Sequence, residues 1–416
     1  MRIALMTNNY KPFIGGVPIS IERLKNGLTE LGHEVTVFAP DYHGNRASNC
    51  MNPKTVQDET ECYVVRYRTL ASNFCGGIVL PNPYDRHIEE EFQKGDFDII
   101  HVHHPIMIGS TALYLSRKYH VPIVFTYHTQ YEKYITHYCK TSLLERPATI
   151  WIRRFLRSCD HLIAPTGSIR EYLIRYHKIA ENQISVLPTG LENAQFQTSP
   201  AEIYKLRKRL RADHCPLFLT VCRMAKEKNV LFLIHSLAAL KEQTHLPFRA
   251  VFVGDGPQAE YYRRVVAEKG LSDWIVFTGK LKNEEVKFYY AASDLFLFAS
   301  KTETQGIVIL EAFAGGTPVL AVDADGVRDL VVDGFNGWLT REREEEFTAR
   351  LIAYMEEWRD SKKGGNPWKD NALSTAREYR EEAVARKAVA VYNSVIKESV
   401  LKNEGNYGKS ISYFNC

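Results

Sequence analysis

The 416-residue chain carries 53 Lys and Arg against 49 Asp and Glu, a net charge of +4, and 45% of its residues are hydrophobic. That length suits two domains of roughly 200 residues with ample cores, and so even a charge balance excludes a global field for nucleic acid, which is not an expected partner. The eight cysteines form no Cys-x-x-Cys pair, a usage that reads as reduced thiols of a cytoplasmic protein, not as a disulfide framework or a zinc site.

Apolar strand-like runs alternate with helical spacing along most of the chain. In the first half the expected strands are 3–7, 34–39, 62–68, 98–102, 122–127 and 161–165. Between the first two, Ile21, Leu24, Leu28 and Leu31 recur at helical spacing, and Gly32 is a natural C-terminal stop. The turn-rich stretch 188–195 reads as a link. A second series of strands follows at 216–222, 248–254, 275–278, 294–300 and 317–322, again with helices between. The Lys- and Gly-rich run 359–370 reads as an exposed loop. Beyond it, 379–397 reads as a long helix whose apolar face is Val384, Ala388, Val391, Tyr392 and Val395. The last twenty residues are polar and expected to fray. No stretch approaches the ~18 apolar residues of a spanning helix, and Met1-Arg-Ile-Ala-Leu-Met-Thr7 reads as a strand and not as a signal peptide. The expected fold class is α/β: two doubly wound parallel-sheet, Rossmann-like domains facing a cleft, with the C-terminal helix returning to the first. The expected boundaries are 1–190, 191–375, a helix at 376–398 and a polar tail at 399–416.

The most informative segment runs from Lys301 to Leu320. Glu303 falls in the loop at the carboxyl end of the strand 294–300, where open parallel sheets bind ligands, and Glu311 about two turns into the next helix. Backbone amides around Gly306, Ile307 and Val308 face out of that helix start and favour a phosphate. Two carboxylates around such a helix start suit a sugar nucleotide. Two Glu eight apart also describe a solvated loop residue and a helix-surface charge, and the placement between two buried strands weighs against that reading. Arg223 and Lys228 follow the apolar run 217–222, so they project from a strand end, where cations offset the charge growing on a departing diphosphate; exposed surface charge is the plainer alternative. Gly15 and Gly16 either turn a loop or let phosphate or an acceptor approach the backbone. His128, ending the strand 123–127, is a site residue or a buried structural histidine. Asp96-Phe-Asp98 and Asp323-Ala-Asp325 have the spacing of a metal-dependent transferase, but they open a strand and fill a turn. With Arg, Lys and a helix start available for the diphosphate, no metal or other cofactor is expected.

These motifs carry a resemblance. Glu303 to Glu311 with Ala-Phe-Ala-Gly-Gly-Thr-Pro-Val resembles the signature of retaining, nucleotide-sugar-dependent glycosyltransferases of family 4, whose fold is the two-Rossmann-domain B type. In the family's order stand Asn8-Asn-Tyr-Lys-Pro-Phe-Ile-Gly-Gly-Val17, Phe125-Thr-Tyr-His-Thr129, Arg223-Met-Ala-Lys-Glu-Lys-Asn229 and Val253-Gly-Asp-Gly-Pro257. The resemblance implies an acceptor-binding first domain, a donor-binding second domain, and retention at the anomeric carbon. It implies catalytic roles for His128, Glu303, Arg223 and Lys228. Arg223 and Lys228 would hold the donor diphosphate beside Gly16, Gly306, Ile307 and Val308, Glu303 the sugar hydroxyls, and Glu311 the ribose. Gly254 and the loop after Gly279 would complete the donor site, the latter meeting the base. UDP-glucose is favoured as donor by family habit alone.

The motifs Asn9-Tyr-Lys-Pro, Gly15-Gly-Val17, His128-Thr-Gln-Tyr-Glu-Lys-Tyr134 and Thr302-Glu-Thr-Gln-Gly306 look most like the branch that glucosylates diacylglycerol. That places Tyr10, Gly15, Gly16, His128 and Tyr131 on the acceptor side and implies a lipid acceptor. Between Lys133 and Lys178, nine basic residues stand against three acidic ones, and Ile150-Trp-Ile-Arg-Arg-Phe-Leu-Arg157 mixes aromatic, aliphatic and basic residues as an interfacial helix does. A domain helix with Arg on its solvated face has the same pattern. An anionic membrane surface, met peripherally on the inner face of the cell membrane, is the expected partner. A soluble acceptor, or a polysaccharide or undecaprenyl-linked one, is the alternative. An oxidoreductase lacks Gly-x-Gly-x-x-Gly after the first strand, a solute-binding protein needs an export signal, and a sugar-nucleotide epimerase needs acid and base groups placed for proton abstraction.

Overall fold

The structure is a computed structural model and describes residues 1–13, 15–42, 63–74, 78–82, 85–130, 145–244, 246–361 and 367–412. The chain divides into two compact units, Met1–Gly190 with Glu381–Cys416, and Leu191–Arg380.

The first unit holds β1 (Arg2–Met6), β2 (Glu34–Pro40), β3 (Val64–Tyr67), β4 (Thr69–Phe74), β5 (Ile78–Pro81), β6 (Ile99–Val102), β7 (Ile123–Thr126), β8 (His161–Ala164) and β9 (Ile184–Val186). β4 and β5 pair antiparallel by themselves. The other seven form a parallel sheet in the order β3-β2-β1-β6-β7-β8-β9. Between them run α1 (Gly16–Glu30), α2 (Arg86–Gly95), α3 (Ile108–Tyr119), α4 (Glu145–Ser158) and α5 (Gly167–Arg175). The central strands are buried along their whole length, because helices cover both faces of a parallel sheet, which demands nearly continuous apolar runs; His101 and Thr126 are the buried polar residues among them. α1 buries Ile21, Leu24 and Leu28, and the chain leaves it at Gly32, whose φ of +82° is the left-handed turn that glycine takes without strain.

The second unit holds α6 (Pro200–Arg209), β10 (Leu217–Val221), α7 (Val230–Gln243), β11 (Arg249–Val253), α8 (Ala259–Glu268), β12 (Ile275–Gly279), α9 (Asn283–Ala292), β13 (Leu295–Phe298), α10 (Ile307–Ala314), β14 (Val319–Val322), β15 (Gly337–Thr340), α11 (Glu344–Ser361) and α12 (Pro367–Glu378). Its six strands are parallel, in the order β12-β11-β10-β13-β14-β15. The chain then returns to the first unit as α13 (Glu381–Ser412). Val384, Ala385, Ala388, Tyr392 and Val395 of α13 are buried in the core of that unit, with Val391 partly buried beside them. A Cβ on Gly27 of α1 would lie 2.8 Å from the Ala385 Cβ, so the two helices approach as closely as a glycine permits.

Several expectations are corrected. The run 359–370 is not one long loop: α11 extends to Ser361 and α12 starts at Pro367, a residue suited to a first helical turn, with Trp368 packed edge-on against Trp338. Residues 362–366 lie outside the described residues. The second unit ends at Arg380, not 375. The expected tail, 399–416, is helical as far as Ser412, since an established helix extends at one hydrogen bond per residue fixed. β9 and β15 escape the sequence pattern because both are short edge strands, half-buried in part.

Candidate active site

In each unit the strand order reverses next to the first strand, between β1 and β6 and between β10 and β13. The crevice beyond the carboxyl ends of such a strand pair is where open α/β sheets take ligands. The expected site residues follow these strands.

In the second unit, β10 ends into Cys222, exposed Arg223 and a short turn, Lys226–Lys228. Two glycines hold that loop against the one after β11. A Cβ on Gly254 would stand 2.0 Å from the Cys222 carbonyl oxygen, and one on Gly256 2.6 Å from that of Met224. The Gly254 N–H donates to the Gly279 carbonyl at 2.9 Å, tying in the end of β12. The loop after β13 carries Glu303, whose Oε1 accepts from the Lys228 Nζ at 2.5 Å, with about a fifth of each side chain exposed. Burial pushes the Glu303 carboxyl up, but the Lys228 charge and hydrogen bond, helped by Ser300, more than reverse this and leave it below its ordinary value. The pair is therefore ionised. Burial pushes the neighbouring Cys222 thiol up to about 12, so it is neutral and unreactive.

Gly306 ends the same loop in the left-handed region, φ +67° and ψ +55°, and α10 begins directly after it without a side-chain cap. The start of this helix, with half-buried Ile307 and Val308, offers amides and a partial positive charge. Glu311 is the fifth residue of α10, little more than one turn in and not two, because the helix starts at Ile307. It accepts from the Tyr290 hydroxyl at 3.2 Å. The two Asp-x-Asp sequences are engaged elsewhere. Asp323 and Asp325 pair with Arg328, Asp96 pairs with Arg2, and Asp98 accepts the Arg2 N–H.

In the first unit, His128 follows β7 and joins a row of rings that sequence reasoning missed. Its Nε2 lies 2.9 Å from the Nδ1 of His103, at the end of β6. His103 also neighbours His101, with ring centroids 4.2 Å apart. His101 bonds the Tyr392 hydroxyl of α13 and the Thr126 hydroxyl, both at 2.6 Å. His104 Nδ1 accepts the Asn8 N–H at 3.1 Å, beyond β1. Burial holds His101 down at about 3 and His104 at about 4, and holds His103 and His128 well below 6.5, their histidine neighbours adding to it. All four are neutral near pH 7. The available signal was His101-Val-His103-His104 at the carboxyl end of an apolar run.

Tyr10, expected on the acceptor side, is a core residue. Its ring is 2% exposed and its hydroxyl donates to Glu22 at 3.0 Å. Gly15 and Gly16 form the start of α1, and Tyr131 lies outside the described residues. α4 divides its apolar residues. Ile152, Phe155 and Leu156 are buried, whereas Ile150 and Trp151 are 58% and 39% exposed. Trp151 and Arg154 share with Tyr114 and Arg117 of α3 a groove of about 620 Å³.

The sequence profile described as Glycosyltransferase Family 4 matches residues 14–195, and one described as Glycosyl transferases group 1 matches residues 204–371. An alpha-monoglucosyldiacylglycerol synthase of Streptococcus pneumoniae is 31% identical over 348 residues, 82% of this chain and 75% of that protein. The chain is a family 4 glycosyltransferase. A second relative of the same name, from Acholeplasma laidlawii, is 28% identical and covers 96% of this glycosyltransferase and 98% of itself. A GDP-mannose-dependent alpha-mannosyltransferase of Corynebacterium glutamicum is also 28% identical, over 82% and 76% of the two chains. Among solved structures, Anabaena HepE in complex with UDP superposes with a TM-score of 0.73 at 20% identity, over 95% of this glycosyltransferase and 100% of that chain. At that identity the likeness is one of fold. Among the described residues of this glycosyltransferase, no helix is long and apolar enough to cross a membrane.

Proposed function

We propose that this glycosyltransferase moves glucose from UDP-glucose to a hydroxyl of a membrane lipid, such as diacylglycerol, with retention at the anomeric carbon. The observation that carries the donor side is the ionised Lys228–Glu303 pair at the β10/β13 switch point, beside the uncapped start of α10. A nucleoside diphosphate sugar has the complementary chemistry. Arg223, Lys228 and the amides at Ile307 and Val308 meet the diphosphate, and their attraction strengthens as the glycosidic bond breaks and charge grows on the leaving group. Glu303, kept ionised, accepts hydrogen bonds from sugar hydroxyls, and Glu311 accepts from the ribose. The loops at Gly254 and Gly279 flank the base, and Gly16 gives close backbone approach. His128 bonds the sugar at the reacting carbon. The acceptor hydroxyl attacks the face that the diphosphate leaves, and a phosphate oxygen takes its proton. No metal is assigned a part.

Two relatives named for glucosyldiacylglycerol synthesis support the lipid acceptor. Exposed Ile150 and Trp151 beside Arg154 and Arg157 support peripheral contact with an anionic leaflet on the inner face of the cell membrane. Gly15 stands on the acceptor side of this reading. A mannosyl donor is the second reading, supported by the GDP-mannose-dependent relative. Parallel incubations of a lipid extract with labelled UDP-glucose and with labelled GDP-mannose test both: label from UDP-glucose in the organic phase supports the proposal, label in a soluble product moves the acceptor, and turnover of GDP-mannose alone replaces the donor.

A further inference from the structure

The histidine row has an asymmetry in its polar partners. In the His103–His128 contact, one ring nitrogen donates and the other accepts, since each ring is neutral and carries one N–H. The proton has two possible places. If His128 Nε2 carried it, neutral His103 would be protonated at its own Nε2, and that atom is fully buried with no hydrogen-bond partner among the described residues. If His103 Nδ1 carries it, what is left buried at Nε2 is a bare lone pair. A buried N–H without an acceptor costs more, and is rarer, than a buried acceptor without a donor. The His103 ring packs on both neighbours, at 4.2 Å from the centroid of His101 and 5.2 Å from that of His128. The far end is fixed in turn by Thr126 and Tyr392.

We infer that His103 is a positioning residue: its Nδ1–H donates to His128 Nε2 and so fixes His128 as the Nδ1–H tautomer. This rests on the reading above that His128 meets the sugar. Its chemical consequence is specific. His128 acts as a neutral donor through Nδ1, and its Nε2 lone pair is committed to His103, so it does not serve as a general base through Nε2. Depressed basicity along the row, caused first by burial, keeps a second proton from undoing the arrangement.

Two substitutions separate this role from a structural one. His103→Asn keeps an N–H close to where Nδ1 donates; His103→Asp has nearly the same shape and its carboxylate can only accept there. Imidazole ¹⁵N spectra of the full chain, assigned with His128→Asn, should show His128 as the Nδ1–H tautomer in the wild type and in His103→Asn. In His103→Asp the proton should sit on His128 Nε2, facing the carboxylate. With UDP-glucose, the Asp variant should lose roughly tenfold or more in kcat with the donor KM little changed, as tautomer errors do, and the Asn variant should retain most of it. An Nε2–H tautomer for His128 in the wild type, or an unprotonated Nε2 in His103→Asp, overturns the inference. The wild-type spectrum alone decides if the Asp variant does not fold. Absence of glucosyl transfer by the wild type would instead remove the function proposed above and leave the tautomer measurement standing.

Discussion

Burying neutral histidines makes the first unit sensitive to acid, and the effect of one ring can be worked out. His101 has no exposed surface; burial lowers its pKa from an ordinary 6.5 to about 3. A histidine depressed in this way takes up its proton on unfolding, so its stabilisation is complete above about pH 6.5 and is lost as pH falls toward 3. The difference between about pH 8 and about pH 5 is roughly 2 kcal/mol for His101 alone, against a total of about 5–15 for a domain. Exchange protection of the β6 amides, corrected for chemical exchange rates, reports opening of this unit alone. His101→Gln keeps hydrogen-bonding groups for Thr126 and Tyr392 but cannot titrate. Its protection should fall between these pH values by roughly 2 kcal/mol less than that of the wild type. Equal losses in the two proteins would refute the argument from burial.

Three further outcomes are expected. Lys228→Ala and Glu303→Ala should each cut transfer by ~100-fold or more. In the Lys228 variant burial acts on Glu303 without its main opponent, so the carboxyl should titrate above its wild-type value; pH–rate profiles check both. Gly254→Ala would place a Cβ 2.0 Å from a carbonyl oxygen at φ +128°, whereas at Gly279 there is open space and only the φ of +71° is unfavourable. The first should unfold or lose at least ~3 kcal/mol and the second ~1 kcal/mol, as measured by thermal or urea unfolding. Trp151→Ala combined with Arg154→Ala should weaken cosedimentation with anionic vesicles several-fold. Binding that ignores lipid charge and salt would end the membrane reading.

Most of the fold was legible because buried parallel strands demand nearly continuous apolar runs, as at Leu217–Val221, interrupted only by Thr220, and Leu295–Phe298. Edge strands are half solvated and short, so Ile184–Val186 and Gly337–Thr340 left no comparable trace. Lys228 and Glu303 were legible as strand-end charges, but their pairing, 75 residues apart in the chain, is a product of the switch point. The histidine row was not legible. His101 and His103 occupy alternate positions at a strand end, a pattern that tells nothing of a hydroxyl 291 residues further on. Tyr10 misled for the opposite reason, since a motif position says nothing about which way a ring turns.

The return of α13 to the first unit bears on how the protein is made. Leu191 and Arg380 pair with each other at the two ends of the second unit, which is contiguous and can close its core as soon as its last strand and helices have emerged. The first unit must wait. After Gly190, another 190 residues (380 − 190) pass before α13 begins, a delay of about 10–40 s at ordinary synthesis rates. Through that interval the apolar floor that Val384, Ala388 and Tyr392 later cover is exposed, a surface suited to a holding chaperone. His101 lacks its Tyr392 partner until the helix docks. The half of the enzyme translated first is therefore the half completed last.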